Sequence, residues 1–153
     1  MRKKIDRILA NICVVMMGLL VLDVLWQVFT RFVIGKPSAF TDEMAGFLLI
    51  WVGLFGAAYV TGQNGHLAID LWIQKSQGKR QKLLISITYI SIALFGLFVL
   101  VIGGGWLMYT RFLWDVKSAA LNLPLGYVYS VLPIAGIFIM YYTIDDLIST
   151  LKS

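Results

Sequence analysis

A chain of 153 residues that is 59% hydrophobic and only 14% charged, with a mean hydropathy of +0.83, lacks the polar side chains to cover a water-facing surface; ordinary soluble domains carry roughly 25% charged residues. It reads as an all-α integral membrane protein forming a single membrane domain, 1–153. The net charge of +5 does not point to nucleic acid, because the basic residues flank apolar runs, and the single Cys13 excludes an internal disulfide.

At the N-terminus, Arg2-Lys3-Lys4 ahead of an apolar run could open a signal peptide. The run continues to Val33, has no clear small-x-small cleavage site near its end, and carries Asp23, Gln27 and Arg31, so a retained span over 8–33 is predicted. At 1.5 Å per residue it would be roughly 39 Å long, which exceeds the hydrocarbon core and requires tilt or projection. Pro37 then ends a segment, Ser38 or Thr41 is placed to cap, and Asp42-Glu43 complement the positive end of a helix dipole. The second span is predicted over 44–60, followed by a polar loop from Thr61 to Gly65. In HLAIDLWIQK, Leu67, Ala68, Leu71, Trp72 and Lys75 share a helical face, which suits an interfacial helix between spans two and three; Leu67, Ile69, Leu71 and Ile73 also alternate as a strand would. The third span is predicted over 83–109, with Gly96 and the Gly103-Gly104-Gly105 run inside it. The fourth, over 125–144, follows Pro124, and Pro133 predicts a kink.

Lys and Arg distribute unevenly between alternate sides of these four spans. Nine of the 13, at Arg2, Lys3, Lys4, Arg7, Lys75, Lys79, Arg80, Lys82 and Lys152, fall on the side of both termini. Arg31, Lys36, Arg111 and Lys117 fall on the other, which places both termini in the cytoplasm.

Few residues could carry chemistry. Asp23, Gln27 and Arg31 recur at i, i+4 and i+8 and line one side of span one. An ionised group near the bilayer centre costs about 2.5–3.5 kcal/mol on insertion scales, so Asp23 needs a partner, a proton or water. The stripe can serve as an ion or proton relay or as an interhelical hydrogen-bonding seam. A relay needs a second intramembrane ionisable group, and the middles of the other spans hold none. Arg31 can reach the interface or pair with Asp42 or Glu43. His66 stands alone, without the clustered ligands of a metal or haem site, and suits a structural loop contact with Asp70. No cofactor, no metal and no enzymatic activity are expected. Gly46, Gly53 and Ala57 on span two, and Gly96 with Gly103 on span three, form small-residue seams for close helix packing, within this bundle or against another subunit.

The stretch from Arg31 to Asp70 reads R-F-V-x-G-x-P, T-D-E-M-A, L-L-x-W-V-G-L-F-G-A-A and H-x-x-I-D. With Leu123-Pro124, Tyr129, Leu132 and Pro133 it resembles the small membrane subunit, the Q-type component, of tripartite ATP-independent periplasmic (TRAP) transporters. The matching positions are Arg31, Pro37, Asp42, Glu43, Ala45, Trp51, Gly53, Gly56, Ala57, His66 and Asp70. The family commonly has an aromatic-Ser/Thr-Glu-Glu order where this chain has Phe40-Thr41-Asp42-Glu43, a change that keeps the charge. The resemblance implies a multi-pass protein of the bacterial inner membrane, surrounded by membrane lipids. It implies an accessory scaffold of a sodium-driven importer of organic anions, of the dicarboxylate or sialic acid class. The partners implied are a large membrane subunit on a separate chain and a periplasmic substrate-binding protein. On this reading Lys36, Asp42, Glu43, Arg111, Asp115 and Lys117 form an outer rim facing the receptor. A self-sufficient small transporter coupling through Asp23 is the alternative, and a redox-enzyme anchor is disfavoured by the missing histidines.

Overall fold

The computed structural model describes residues 2–36, 38–63 and 79–152. Pro37, His66, Asp70 and the predicted interfacial helix lie outside the described residues. Helix α1 is Arg2–Phe29 and continues as a π-helical turn over Thr30–Ile34. Helix α2 is Ala39–Gly62, and α3 is Lys79–Phe95, followed by a π-helical stretch at Gly96–Gly103 and by α4, Gly104–Leu113. A short α5, Leu125–Tyr129, leads into α6, Val131–Lys152. Four helical stretches, Arg2–Ile34, Ala39–Gly62, Leu83–Leu113 and Leu125–Thr150, are long and apolar enough to cross a membrane. Among the described residues the only strand-like pairing is an isolated bridge between Lys117 and Pro124.

The helices outrun the apolar cores of the sequence because polar groups at their ends find partners. Ser38 caps α2, its Oγ accepting from the Thr41 N–H at 3.5 Å, with Asp42 in the first turn. Gly35, at φ 73°, closes the first span in the left-handed conformation and donates its N–H to the Thr30 carbonyl. The bend expected at Pro133 is a break at Ser130 instead. Proline is tolerated in a first helical turn, so α6 starts at Val131 and Pro133 sits where no N–H is needed.

Packing arranges the spans in a row rather than a square. Helix α1 lies along α2, α2 along α6, and α6 along α3 and the π-helical stretch. Among the described residues α1 has α2 as its only extended neighbour, so span one forms one edge of the row and span three the other. The inner position of α6 explains its inward stripe of Val131, Ala135, Ile139 and Tyr142, all buried. On α1, Leu9 is buried and Ile5, Ile12 and Met16 pack beside it, a 4-3-4 spacing that continues through Asp23 and Gln27 to buried Thr30. Most remaining large apolar residues of α1, from Ile8 to Ile34, are exposed, as expected of an edge facing lipid or another protein.

The π-helical stretch changes the register of span three. Its wider winding turns the chain less per residue, so the face that begins at Gly96 continues through Leu100 to Gly104, not to Gly103. A Cβ at Gly104 would stand 2.5 Å from the Leu132 Cβ, while one at Gly103 would meet only its own Phe98 carbonyl, at 3.3 Å. The opposing small residue is Gly136, where a Cβ would fall 2.7 Å from the Leu100 Cβ. The seam on span three is therefore Gly96, Leu100 and Gly104 against Gly136.

Candidate functional site

Charged groups gather at the two ends of the row. At the end holding both termini, Arg2 of α1 reaches two other helices, α2 and α6. Its Nη1 lies 3.0 Å from Asp145 Oδ2 and 2.6 Å from Asp146 Oδ1, and its Nη2 donates to the Gly62 carbonyl at 2.9 Å. Beneath it, the Tyr142 hydroxyl donates to Asp6 Oδ1 at 2.5 Å, and the guanidinium sits 5.5 Å from the Tyr142 ring centre. Glycine lets α2 approach this closely, since a Cβ at position 62 would meet the Tyr142 ring at 2.8 Å. The start of α1, the end of α2 and the end of α6 are thus closed into one unit by a charge-assisted network. Sequence reasoning counted Arg2 only toward orientation; the Asp145-Asp146 pair in an otherwise apolar terminal helix was the available signal.

The opposite end carries most of the predicted site residues. Gln27 Nε2 donates to Asp42 Oδ1 at 2.6 Å and ties span one to the start of α2. Glu43 accepts two backbone amides from the loop after span three, Ala119 N–H on Oε1 at 2.9 Å and Leu121 N–H on Oε2 at 3.1 Å. That loop takes left-handed φ at Asp115 and Asn122, and the Leu123 N–H donates to Ser118 Oγ at 3.4 Å. Trp51 Nε1 donates to the Val128 carbonyl at 3.0 Å, so α2 holds both the loop and α5. Lys117 pairs with Asp115 at 3.0 Å on the exposed surface, and the Arg111 guanidinium lies 5.9 Å from the Tyr129 ring centre. Lys36 is exposed beside Gly35.

The stripe Asp23, Gln27, Arg31 divides. Asp23 and Gln27 are half-buried on the seam against α2, whereas Arg31 is exposed and stacks near Phe32 at 5.9 Å. Eight residues at the helical period turn a side chain about 80° from its starting direction, so the seam passes to Thr30. Arg31 forms no ion pair with Asp42 or Glu43, whose oxygens are held by Gln27 and the loop amides. Asp23 Oδ2 is enclosed and has no hydrogen-bond partner among the described residues. Gly46, Gly53 and Ala57 share an exposed face of α2, and a Cβ at Gly46 or Gly53 would have nothing within 4 Å. An apolar cavity of about 230 Å³ lies beside this helix, lined by Met16, Phe47, Trp51 and Tyr127 among others. Among the described residues the arrangement offers packing faces and a polar end.

Residues 20–153 match the family described as tripartite ATP-independent periplasmic transporters, DctQ component. The chain belongs to that family. As a DctQ-family chain it is a membrane subunit of a transporter, and the matched region takes in the whole end built around Glu43 but leaves out Arg2 and Asp6 of the terminal end. A TRAP transporter small permease protein from Haemophilus influenzae is 26% identical to it over 96% of this chain and 89% of the relative. The sialic acid TRAP transporter small permease protein SiaQ of Vibrio cholerae is 24% identical over 99% of this chain and 86% of the relative.

Proposed function

We propose that the chain is the accessory scaffold of a sodium-driven TRAP importer of organic anions, in the dicarboxylate or sialic acid class. It braces a large transport subunit within the inner membrane and helps dock a periplasmic substrate-binding protein, with both of its own termini in the cytoplasm. The kinship with a small permease named for sialic acid supports the substrate class. The observation that carries the scaffold reading is the exposed small-residue face of α2, where Gly46 and Gly53 have open space above them. Small residues let helix backbones approach closely, and among the described residues no helix occupies that face. The docking end is the polar end of the row, where Lys36, Asp42 and Arg111 lie at or beside helix ends and Asp115 and Lys117 belong to the loop that Glu43 holds.

The test is co-purification of a tagged copy in mild detergent. A larger, very hydrophobic membrane polypeptide is expected to accompany the wild-type chain and to be lost from Gly53→Leu, whose own thermal stability stays unchanged. Retention of that companion by both Gly46→Leu and Gly53→Leu refutes the assignment of this face. For the docking end, Asp42→Lys with Lys117→Glu is expected to weaken receptor binding while leaving the companion in place. The unpartnered Asp23 oxygen keeps one rival in play, a chain that transports alone. Solute flux into liposomes holding only this chain, abolished by Asp23→Asn, would replace the scaffold reading.

A further inference from the structure

We propose that Lys3, Lys4 and Arg7 form a binding site for the headgroup of an anionic phospholipid on the outer edge of the row. All three side chains are exposed, and none has an ion-pair partner among the described residues, in contrast to Arg2, which Asp145 and Asp146 engage. The acidic side chains described at this end are Asp6, Asp145 and Asp146, and each already has a partner: Asp6 takes the Tyr142 hydroxyl, the other two take Arg2. Arg2, Lys3, Lys4 and Arg7 thus face three described carboxylates, a local net charge of +1, and neither carboxylate that takes Arg2 pairs with Lys3, Lys4 or Arg7. Lys3 and Arg7 stand one helical turn apart, about 6 Å between Cβ atoms, close enough for both to reach one phosphate.

Depth selects a lipid over other anions. The exposed apolar surface of α1 begins at Ile8, which is 56% exposed and directly follows Arg7. At 1.5 Å per residue Lys3 lies about 8 Å beyond that boundary, so the three cations span the headgroup layer, which is about 5–8 Å thick. Their aliphatic stems can lie along the apolar helix while the charged tips stay at the phosphates. The position on the edge helix matters as well. Among the described residues span one has one extended neighbour, so a lipid held at Lys3, Lys4 and Arg7 would contact a side of α1 that no described helix covers. The inference is independent of the docking reading above.

The experiment titrates the full-length chain in neutral detergent with phosphatidylglycerol and, separately, with phosphatidylcholine of the same acyl chains, counting lipid bound per chain. One unit of net positive charge beside an anionic headgroup contributes about fivefold, so tighter binding of phosphatidylglycerol by about that factor is expected at low salt. That preference should shrink as salt rises. The triple variant K3Q/K4Q/R7Q keeps the Arg2 network and is expected to bind the two lipids equally, whereas K3R/K4R keeps the charge and the preference. Equal binding of both lipids by the wild type overturns the proposal, as does an undiminished preference in K3Q/K4Q/R7Q. Full displacement of the lipid by inorganic phosphate at equal concentration also overturns it, since the site would then be selective for the anion and not for a membrane-anchored headgroup.

Discussion

Gly136→Val tests whether the close approach of span three to α6 holds the row together. A Cβ at position 136 would sit 2.7 Å from the Leu100 Cβ, 3.0 Å from Val101 Cγ2 and 3.2 Å from the Gly96 carbonyl oxygen. The Leu100 Cβ and the Gly96 carbonyl are fixed to a helix backbone and cannot swing aside, so the two helices must part by about 1 Å to restore ordinary contact. A radial gap of 0.5–1 Å forfeits about a quarter to a half of each dispersion contact along the seam, and overpacking of this kind costs about 1–3 kcal/mol. Valine amplifies the effect because its branched carbons extend beyond the Cβ. Thermal unfolding of the full-length chain in mild detergent is expected to show a midpoint lower by several degrees, about 2–4 °C for each kcal/mol in a chain of this size. Gly105→Ala is the matched control, since a Cβ there meets nothing within 4 Å and the helix gains propensity. Equal midpoints for Gly136→Val and wild type would refute the packing argument.

At the terminal end, Arg2→Gln leaves Asp146, which is 5% exposed, without its cation. Removing one partner of a fully buried pair costs roughly 3–5 kcal/mol, and the partial exposure of Arg2 reduces this to about 1–3 kcal/mol. Adding Asp146→Asn should recover at least half of the lost thermal stability; no recovery would mean that the Gly62 carbonyl contact, not the charge pair, closes this end. Glu43→Gln keeps the shape but replaces one acceptor oxygen with an NH2 group, so one of the Ala119 and Leu121 amides loses its partner. Hydrogen exchange at that amide should accelerate about fivefold, corresponding to about 1 kcal/mol, and unchanged protection would contradict the anchoring role. Trp51→Phe removes the donor to the buried Val128 carbonyl and should lower stability by about 1–2 kcal/mol, measured by the same thermal assay.

The site was only partly legible in the sequence, and the misses have physical causes. The cap at Ser38 rests on local chemistry and was one of the two positions the sequence offers, whereas the kink expected at Pro133 falls at Ser130 because proline fits the first turn of α6. The stripe Asp23, Gln27, Arg31 could not be extended correctly, because a packed seam follows Thr30 while an isolated helix rotates away from it. An α-helical period points to Gly103 where Gly104 makes the contact, because the chain winds there as a π-helix. Glu43 looked like a surface carboxylate from the sequence, and only the return of the loop after span three gives its two oxygens their amides.

Hydrophobic runs, glycine and proline positions and the sparsity of charge determined by themselves that this chain makes four helices for a membrane, because those signals act within a single turn or span. Which helix lies beside which, and which small residues meet a neighbour rather than open space, was decided by the tertiary structure. Lipid and protein interiors are equally apolar, so composition cannot tell the inner α6 from the edge helix α1. That distinction comes from close contacts such as Gly136 on Leu100 and from Arg2 reaching across to Asp146, pairs separated along the chain by far more than any periodicity can span.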